Sequence, residues 1–385
     1  MKPLDYYQLD SLLSEEQRQI RRTVRSWVDE NVLDIIADCY EEARFPDELI
    51  PEMGELGLFG ANLEGYGCAG VDNVSYGLMM QELERGDSGL RSMGSVQGAL
   101  VMYPIYTFGS PEQKEHYLPR LASAELVGCF GLTEPGHGSD PGSMETTATK
   151  DGDHYVLNGN KTWITNAQVA DVAVVWAKVD DTIRGFLVDA DTPGYATGAI
   201  HDKFSMRASH TGEIYLDDCR VPADNMLPEG EGLRAPLRCL NQARYSIAWG
   251  VIGAAMACFD EARSYAGERE QFGKPIASFQ LVQDKLVDMA TEITKAQLLC
   301  HRLGELKDEG EARHTHVSMA KRNNCRMALD VARKARELLG GNGITLDYHS
   351  IRHMTNLETV YTYEGTDHMH TLIVGQDLTG ISAVR

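Results

Sequence analysis

The sequence predicts an α+β protein in three successive parts: an N-terminal helical domain over residues 1–127, a small middle β domain over 128–230, and a C-terminal four-helix bundle over 231–385. Three observations carry this. Apolar residues recur at helical spacing through the first third. The period shortens to that of strands from Val127, and the helical period returns after Gly232 in three long runs. At 385 residues the chain has room for a large core.

Ser14-Glu15-Glu16-Gln17 has the form of a capping box, with Ile20, Val24, Trp27 and Val28 following on one helical face. That helix is expected to reach about Arg44 and to stop before Pro46. Pro46 to Leu58 is expected to form a second short helix, closed by Gly60. Beyond the Gly-rich loop 65–70, helical patterns cover Tyr76–Arg85, Gly89–Phe108 and Pro111–Ala122. Val127–Leu132 opens the β part, and a loop of Gly, Pro and hydroxyl residues follows from Thr133 to Ser143. Tyr155–Leu157 and Thr162–Thr165 flank Asn158-Gly159, a hairpin signal. Val172–Val179, Ile183–Val188 and Glu213–Leu216 read as further strands. Leu237–Glu268, Ser278–Asp308 and Arg313–Leu339 read as bundle helices, with the piece after Thr366 as the fourth.

The net charge is −21, which argues against nucleic acid and anionic membrane surfaces, since both select basic patches. No run of eighteen apolar residues occurs, so no membrane span is expected. The first residues resemble neither a signal nor a transit peptide, and the eight cysteines are scattered without a C-x-x-C. A reducing cytoplasm is the expected location.

The stretch Tyr361-Thr362-Tyr363-Glu364-Gly365-Thr366 places one carboxylate among aromatic rings before a glycine and a helix-capping threonine. Glu364 is therefore expected on a tight turn before a short helix. A carboxylate desolvated by rings becomes a stronger base. Taken alone, an acid in such a loop is more often simply solvated. His349, His353, His368 and His370 lie close in sequence, yet no Cys or carboxylate spacing completes a ligand set, so no metal is expected. His368 and His370 are expected to face a bound group or solvent.

This order of parts, with the acidic turn before the last helix, resembles the acyl-CoA dehydrogenase family. Phe130–Pro135 with Gly138-Ser139-Asp140 is similar to the family's flavin and acyl-CoA loop, and Lys161–Asn166 to its second flavin segment. Arg269–Gly273 is similar to the segment that reaches a neighbouring subunit's FAD, and Tyr363–Thr366 to the catalytic turn. Within the family, Ser88–Gln97, Cys129–Thr133, Asn241–Gly250, Lys321–Cys325 and Leu378–Ile381 resemble the branch that acts on glutaryl-CoA.

The resemblance implies FAD as cofactor and Glu364 as the base that removes the α-proton of an acyl thioester. It implies that Leu132, Thr133, Ser139, Trp163, Thr165 and Thr366 lie at the flavin. Arg269, Gln271 and Phe272 would serve FAD across a subunit boundary. Glu337, Gly340 and Gly341 would also lie at the cofactor, the Gly340–Gly343 turn bringing backbone N–H groups near phosphate, although Glu337 stands where relatives often carry Gln. Arg91 would receive a distal carboxylate, with Ser95, Glu84 and Tyr363 completing that pocket. Ser139, Asn241 and Arg244 would lie along the acyl-CoA. The implied products are crotonyl-CoA and CO2, the implied acceptor is electron-transferring flavoprotein, and the implied assembly is a homotetramer.

Overall fold

The computed structural model describes residues 5–383. The α+β architecture expected from the sequence is the one observed. Helix α1 (Glu15–Asn31) starts at the expected capping box: Gln17 N–H donates to Ser14 Oγ at 3.1 Å and Ser14 N–H to Gln17 Oε1 at 2.9 Å. It does not reach Arg44. Asn31 Nδ2 donates to Trp27 O at 3.0 Å, which satisfies a helix-end carbonyl, and the chain bends to bury Val32 and Ile36 before α2 (Ile36–Glu42). A 3₁₀ turn at Asp47–Leu49 leads into α3 (Ile50–Glu55), shorter than the expected second helix.

Helix α4 (Asn73–Gly86) and helix α5 (Ser88–Ser95) are separated by one residue, Asp87, which caps α5 by accepting from Gly89 N–H at 2.7 Å. The helical path continues through a π-helical stretch, Val96–Met102, into α6 (Tyr103–Phe108). Helix α7 (Pro111–Ala122) matches its expected bounds, with a capping box from Ser110 and Gln113.

One sheet follows, built from β1 (Gly128–Gly131), β2 (Thr147–Asp151), β3 (His154–Thr165), β4 (Val172–Val179), β5 (Thr182–Asp189), β6 (Tyr195–Ala199), β7 (Thr211–Pro222) and β8 (Met226–Glu231). The strand order is β6-β7-β3-β2-β4-β5-β8, with β1 parallel to β4. The expected hairpin at Asn158-Gly159 is absent: both residues lie inside β3, at a register shift against β7. A Cβ on Gly159 would sit 2.4 Å from Thr146 Oγ1, so this glycine serves a close approach and not a reversal. The chain reverses at Gly152, between Asp151 and His154.

The C-terminal bundle holds α8 (Arg234–Glu268), α9 (Gln280–Asp308), α10 (His314–Leu338) and α12 (Asp367–Thr379) as expected. Between α8 and α9 is a small hairpin of β9 (Glu270–Gln271) and β10 (Lys274–Pro275). One more helix, α11 (His349–Thr362), had no apolar stripe to announce it, because its buried face is mainly polar: Ser350, Arg352, His353 and Asn356 beside Leu357 and Val360.

That polar face fixes the position of α11. Arg352 Nη1 donates to Gly86 O at 2.8 Å and to the Asp87 carboxylate, and Asn356 Nδ2 donates to Asp87 Oδ2 at 2.9 Å. Met206 N–H, from the loop between β6 and β7, donates to Asn356 Oδ1 at 2.8 Å. Arg352→Met would leave Asp87 buried with its guanidinium partner removed. A loss of about 3–5 kcal/mol is expected, read as a lower midpoint in denaturant unfolding.

Candidate active site

Glu84 on α4 and Arg91 on α5 are completely buried. Arg91 Nε donates to Glu84 Oε2 at 2.7 Å, and Ser88 Oγ donates to Glu84 Oε1 at 2.8 Å. Arg91 Nη2 donates to the Tyr363 hydroxyl, and the guanidinium carbon lies 5.6 Å from that ring's centre. Space for the pair comes from Gly250 on α8, where a Cβ would sit 2.1 Å from Glu84 Oε2. Burial works against the charge on Arg91, but Glu84 and Tyr363 outweigh it and its proton is held more firmly than usual. Burial also raises the Glu84 carboxyl against the pull of Arg91. One guanidinium nitrogen, Nη1, is enclosed with no partner.

Tyr363 ends α11, and Thr366 caps α12 by accepting from Met369 N–H at 3.2 Å. Between them Glu364 has φ 51°, in the left-handed region, at a cost of about 1–3 kcal/mol. The three carbonyls around it are all taken by cations. Lys321 Nζ on α10 donates to Tyr363 O at 2.5 Å and Gly365 O at 2.7 Å, and Arg244 Nε on α8 donates to Glu364 O at 2.6 Å. Among the described residues no acceptor takes the N–H of Glu364. Its carboxylate Oε2 is enclosed and also unpartnered. Burial raises the Glu364 carboxyl above its ordinary 4.5, with Arg91, Lys321 and Arg244 opposing that rise without cancelling it. Burial likewise pushes the Lys321 ammonium down to about 8.

The loop after β1 is held by Glu134, which accepts from Lys161 Nζ at 2.8 Å, Glu145 N–H at 2.6 Å and both donors of Thr146. These bonds outweigh burial and bring the Glu134 carboxyl down to about 2. Leu132 is buried there, its carbonyl accepting from Lys161 Nζ, and Thr133 O accepts from Thr162 N–H at 2.9 Å. Trp163 sits in a bulge between Lys161 and Ile164, with φ 61°. The bulge turns the indole out of the sheet's alternation and leaves it 63% exposed. Among the described residues, the side-chain hydroxyls of Thr133, Ser139 and Thr165 make no hydrogen bond. An outward indole with free hydroxyls nearby suits a flat, polar-edged ring system. Asn166, next along, donates to Met93 Sδ on α5 at 3.4 Å, which joins this segment to the helix of Arg91.

Three family models match the chain end to end: the acyl-CoA dehydrogenase N-terminal domain over residues 14–125, the middle domain over 129–219 and the C-terminal domain over 230–379. The chain belongs to the acyl-CoA dehydrogenase family. It is 37% identical to a glutaryl-CoA dehydrogenase of Desulfococcus multivorans, over 97% of this chain and 99% of the relative. It is also 37% identical to the bovine (Bos taurus) mitochondrial short-chain specific acyl-CoA dehydrogenase, over 95% and 90%. A crystal structure of a glutaryl-CoA dehydrogenase from Mycobacterium smegmatis, in complex with FADH2, superposes with a TM-score of 0.98 at 51% identity, covering 100% of this chain and 99% of that one.

In this acyl-CoA dehydrogenase, Glu84 bonds Arg91, Arg91 bonds Tyr363, and Glu364 lies within the electrostatic reach of Arg91. Ser95 is buried, with its hydroxyl 2.6 Å from Ser246 Oγ. Arg244, expected along the acyl-CoA, donates through Nε to Glu364 O, and half-buried Asn241 lies three residues before it. His370 is buried rather than facing solvent, and burial, then Lys321 and Arg244, push its pKa down to about 3. Arg269, Gln271 and Phe272 project from the β9–β10 hairpin, Phe272 being 92% exposed. Glu337 pairs with Lys285 at 2.5 Å, and Gly340 and Gly341 open the turn after α10.

Two residues beside Glu364, Tyr76 and Lys321, receive no role from the sequence. Tyr76 on α4 is buried, its hydroxyl beside Ser246 and within the electrostatic reach of Arg91 and Glu364. The sequence marks it only as the first residue of the helical pattern Tyr76–Arg85. Lys321 carried a usable signal: a lysine within the buried stripe of Val317, Ala320, Asn324 and Ala328.

The raised carboxyl of Glu364 has a sign for stability. The folded state holds this proton more tightly than the unfolded chain, so ionising the group as pH rises removes stability. Glu364→Gln is therefore expected to melt above wild type at pH 8, with the gap closing as pH falls toward 5, in scanning calorimetry.

Proposed function

We propose that this protein oxidises and decarboxylates glutaryl-CoA to crotonyl-CoA and CO2, with FAD as cofactor and Glu364 as base. The observation that carries this reading is the pair of enclosed, unpartnered atoms, Arg91 Nη1 and Glu364 Oε2. A buried polar atom without a partner costs about 1–3 kcal/mol, more when charged, and a ligand offering a carboxylate and an acidic C–H would relieve both. Charge supports it. Arg91, Arg244 and Lys321 stand against the two carboxyls of Glu84 and Glu364, so that even with both carboxyls ionised one positive charge is left in a buried cluster. A distal carboxylate on the substrate neutralises it.

FAD, when bound, supplies the acceptor for the β-hydride. Leu132, Thr133, Ser139, Trp163, Thr165 and Thr366 would hold it from this chain, and Arg269, Gln271 and Phe272 from a neighbouring copy, with Glu337, Gly340 and Gly341 also at the cofactor. Glu364 removes the α-proton, while its free N–H donates to the thioester oxygen as enolate charge develops. Arg91 holds the distal carboxylate by a charge-assisted hydrogen bond. Glu84, already bonded to Arg91, weakens that hold enough for CO2 to leave. Protonated Glu364 then returns its proton to the dienolate, with Tyr363 keeping Arg91 in place.

A homotetramer is part of this reading. Exposed Phe272 on the hairpin, with exposed Leu281 and Val287 at α9, supports contact with a second copy. We also assign electron-transferring flavoprotein as the acceptor and the cytoplasm as the location. A second reading, a plain short-chain acyl substrate, has the equal identity to the bovine short-chain enzyme on its side.

Glutaryl-CoA and an artificial electron acceptor, with products weighed by mass spectrometry, separate these. Crotonyl-CoA with CO2 is expected. Glutaconyl-CoA alone would remove the roles given to Glu84 and Tyr363. Arg91→Gln is expected to lower kcat/KM for glutaryl-CoA by roughly 10- to 100-fold, with a much smaller change for butyryl-CoA. Equal losses on both would favour the second reading.

A further inference from the structure

We propose that Lys321 is the positioning residue of the Glu364 turn: its ammonium bridges the carbonyls on either side of Glu364 and holds the base in the backbone conformation that aims its carboxylate and N–H into the site. This rests on the reading of Glu364 as base.

The geometry is specific. One Nζ reaches Tyr363 O and Gly365 O, so the residues before and after Glu364 must both turn their carbonyls toward the same point on α10. That condition fits the left-handed φ of 51° at Glu364, a conformation the residue would not choose alone. Lys321 is 1% exposed, and among the described residues it forms no ion pair. A buried ammonium compensated mainly by carbonyl dipoles is costly, and a methionine would fill the same stripe of α10 more cheaply. What the lysine adds is two donors and a charge beside the base.

The groups facing Glu364 come from every neighbouring element: Arg91 on α5, Arg244 on α8, Lys321 on α10, and the hydroxyls of Tyr76 on α4 and Tyr363 on the turn. His370 on α12 stays neutral, because its pKa is pushed down to about 3 by burial. Removing the charge of Lys321 takes away one of three influences that favour ionised Glu364. The acid limb of the kcat/KM profile must then move to higher pH.

The test uses FAD-loaded Lys321→Met, Lys321→Gln and Glu364→Gln proteins with glutaryl-CoA and an artificial acceptor, at matched flavin content. Lys321→Met is expected to lose about 100-fold in kcat with KM nearly unchanged, and its acid limb to shift upward. Lys321→Gln keeps an amide donor and lacks the charge. It is expected to lose less in kcat and to show the same direction of shift, and it carries the test if the methionine variant folds poorly. A wild-type limb and wild-type kcat in either folded variant, with Glu364→Gln inactive, would overturn the positioning role and leave the base in place. Near-normal turnover by Glu364→Gln would overturn both.

Discussion

The site is governed by the burial of its charges. Five ionisable groups from α4, α5, α8, α10 and the turn before α12 crowd into a largely buried volume, where a charge without a partner is expensive. The surrounding structure answers that constraint atom by atom. Ser88 takes one oxygen of Glu84 and Arg91 the other, Gly250 yields the space, and the carbonyls of the turn absorb Lys321 and Arg244. Two charged-group atoms are left over, one on a guanidinium and one on a carboxylate. Burial holds the Glu364 carboxyl above its ordinary range, and among the described residues no group hydrogen-bonds to that oxygen.

Polar contacts also set how the sheet meets the helices. Asp87, between α4 and α5, collects Arg352 and Asn356 from α11, and Asn356 takes a backbone N–H from the β6–β7 loop. Ser205 of that loop shares a hydrogen bond with Thr359, one turn before the end of α11. Apolar packing tolerates sliding, whereas a satisfied buried network has one arrangement. The two acid-bearing segments, Glu84 on α4 and Glu364 after α11, are thereby tied to one another and to the sheet that presents Trp163.

Much of this was legible in the sequence, for identifiable reasons. The capping boxes at Ser14 and Ser110 and the long bundle helices obey local rules, and they appear where those rules place them. Glu84, Arg91, Tyr363 and Glu364 could be named because their flanking residues form extended patterns. The misreadings share a cause: tertiary contact reversed a local signal. Asn158-Gly159 has the composition of a turn, but Thr146 presses on it from the chain entering β2. Helix α11 hides its period because it buries arginine, histidine and asparagine instead of leucine. Arg244 and Lys321 are separated from Glu364 by 120 and 43 positions, and no spacing rule connects them to it.

The left-handed backbone at Glu364 bears on what the motif around it means. Those few residues do not by themselves make a base. The carbonyls of that turn are bonded from α8 and α10, far away in the chain, and a short peptide of the same sequence would lack those partners and the burial that raises the carboxyl. The chemistry thus belongs to the assembled bundle, and a protein could keep every letter of Tyr363-Glu364-Gly365-Thr366 yet fall silent through a change on a helix that never touches the substrate.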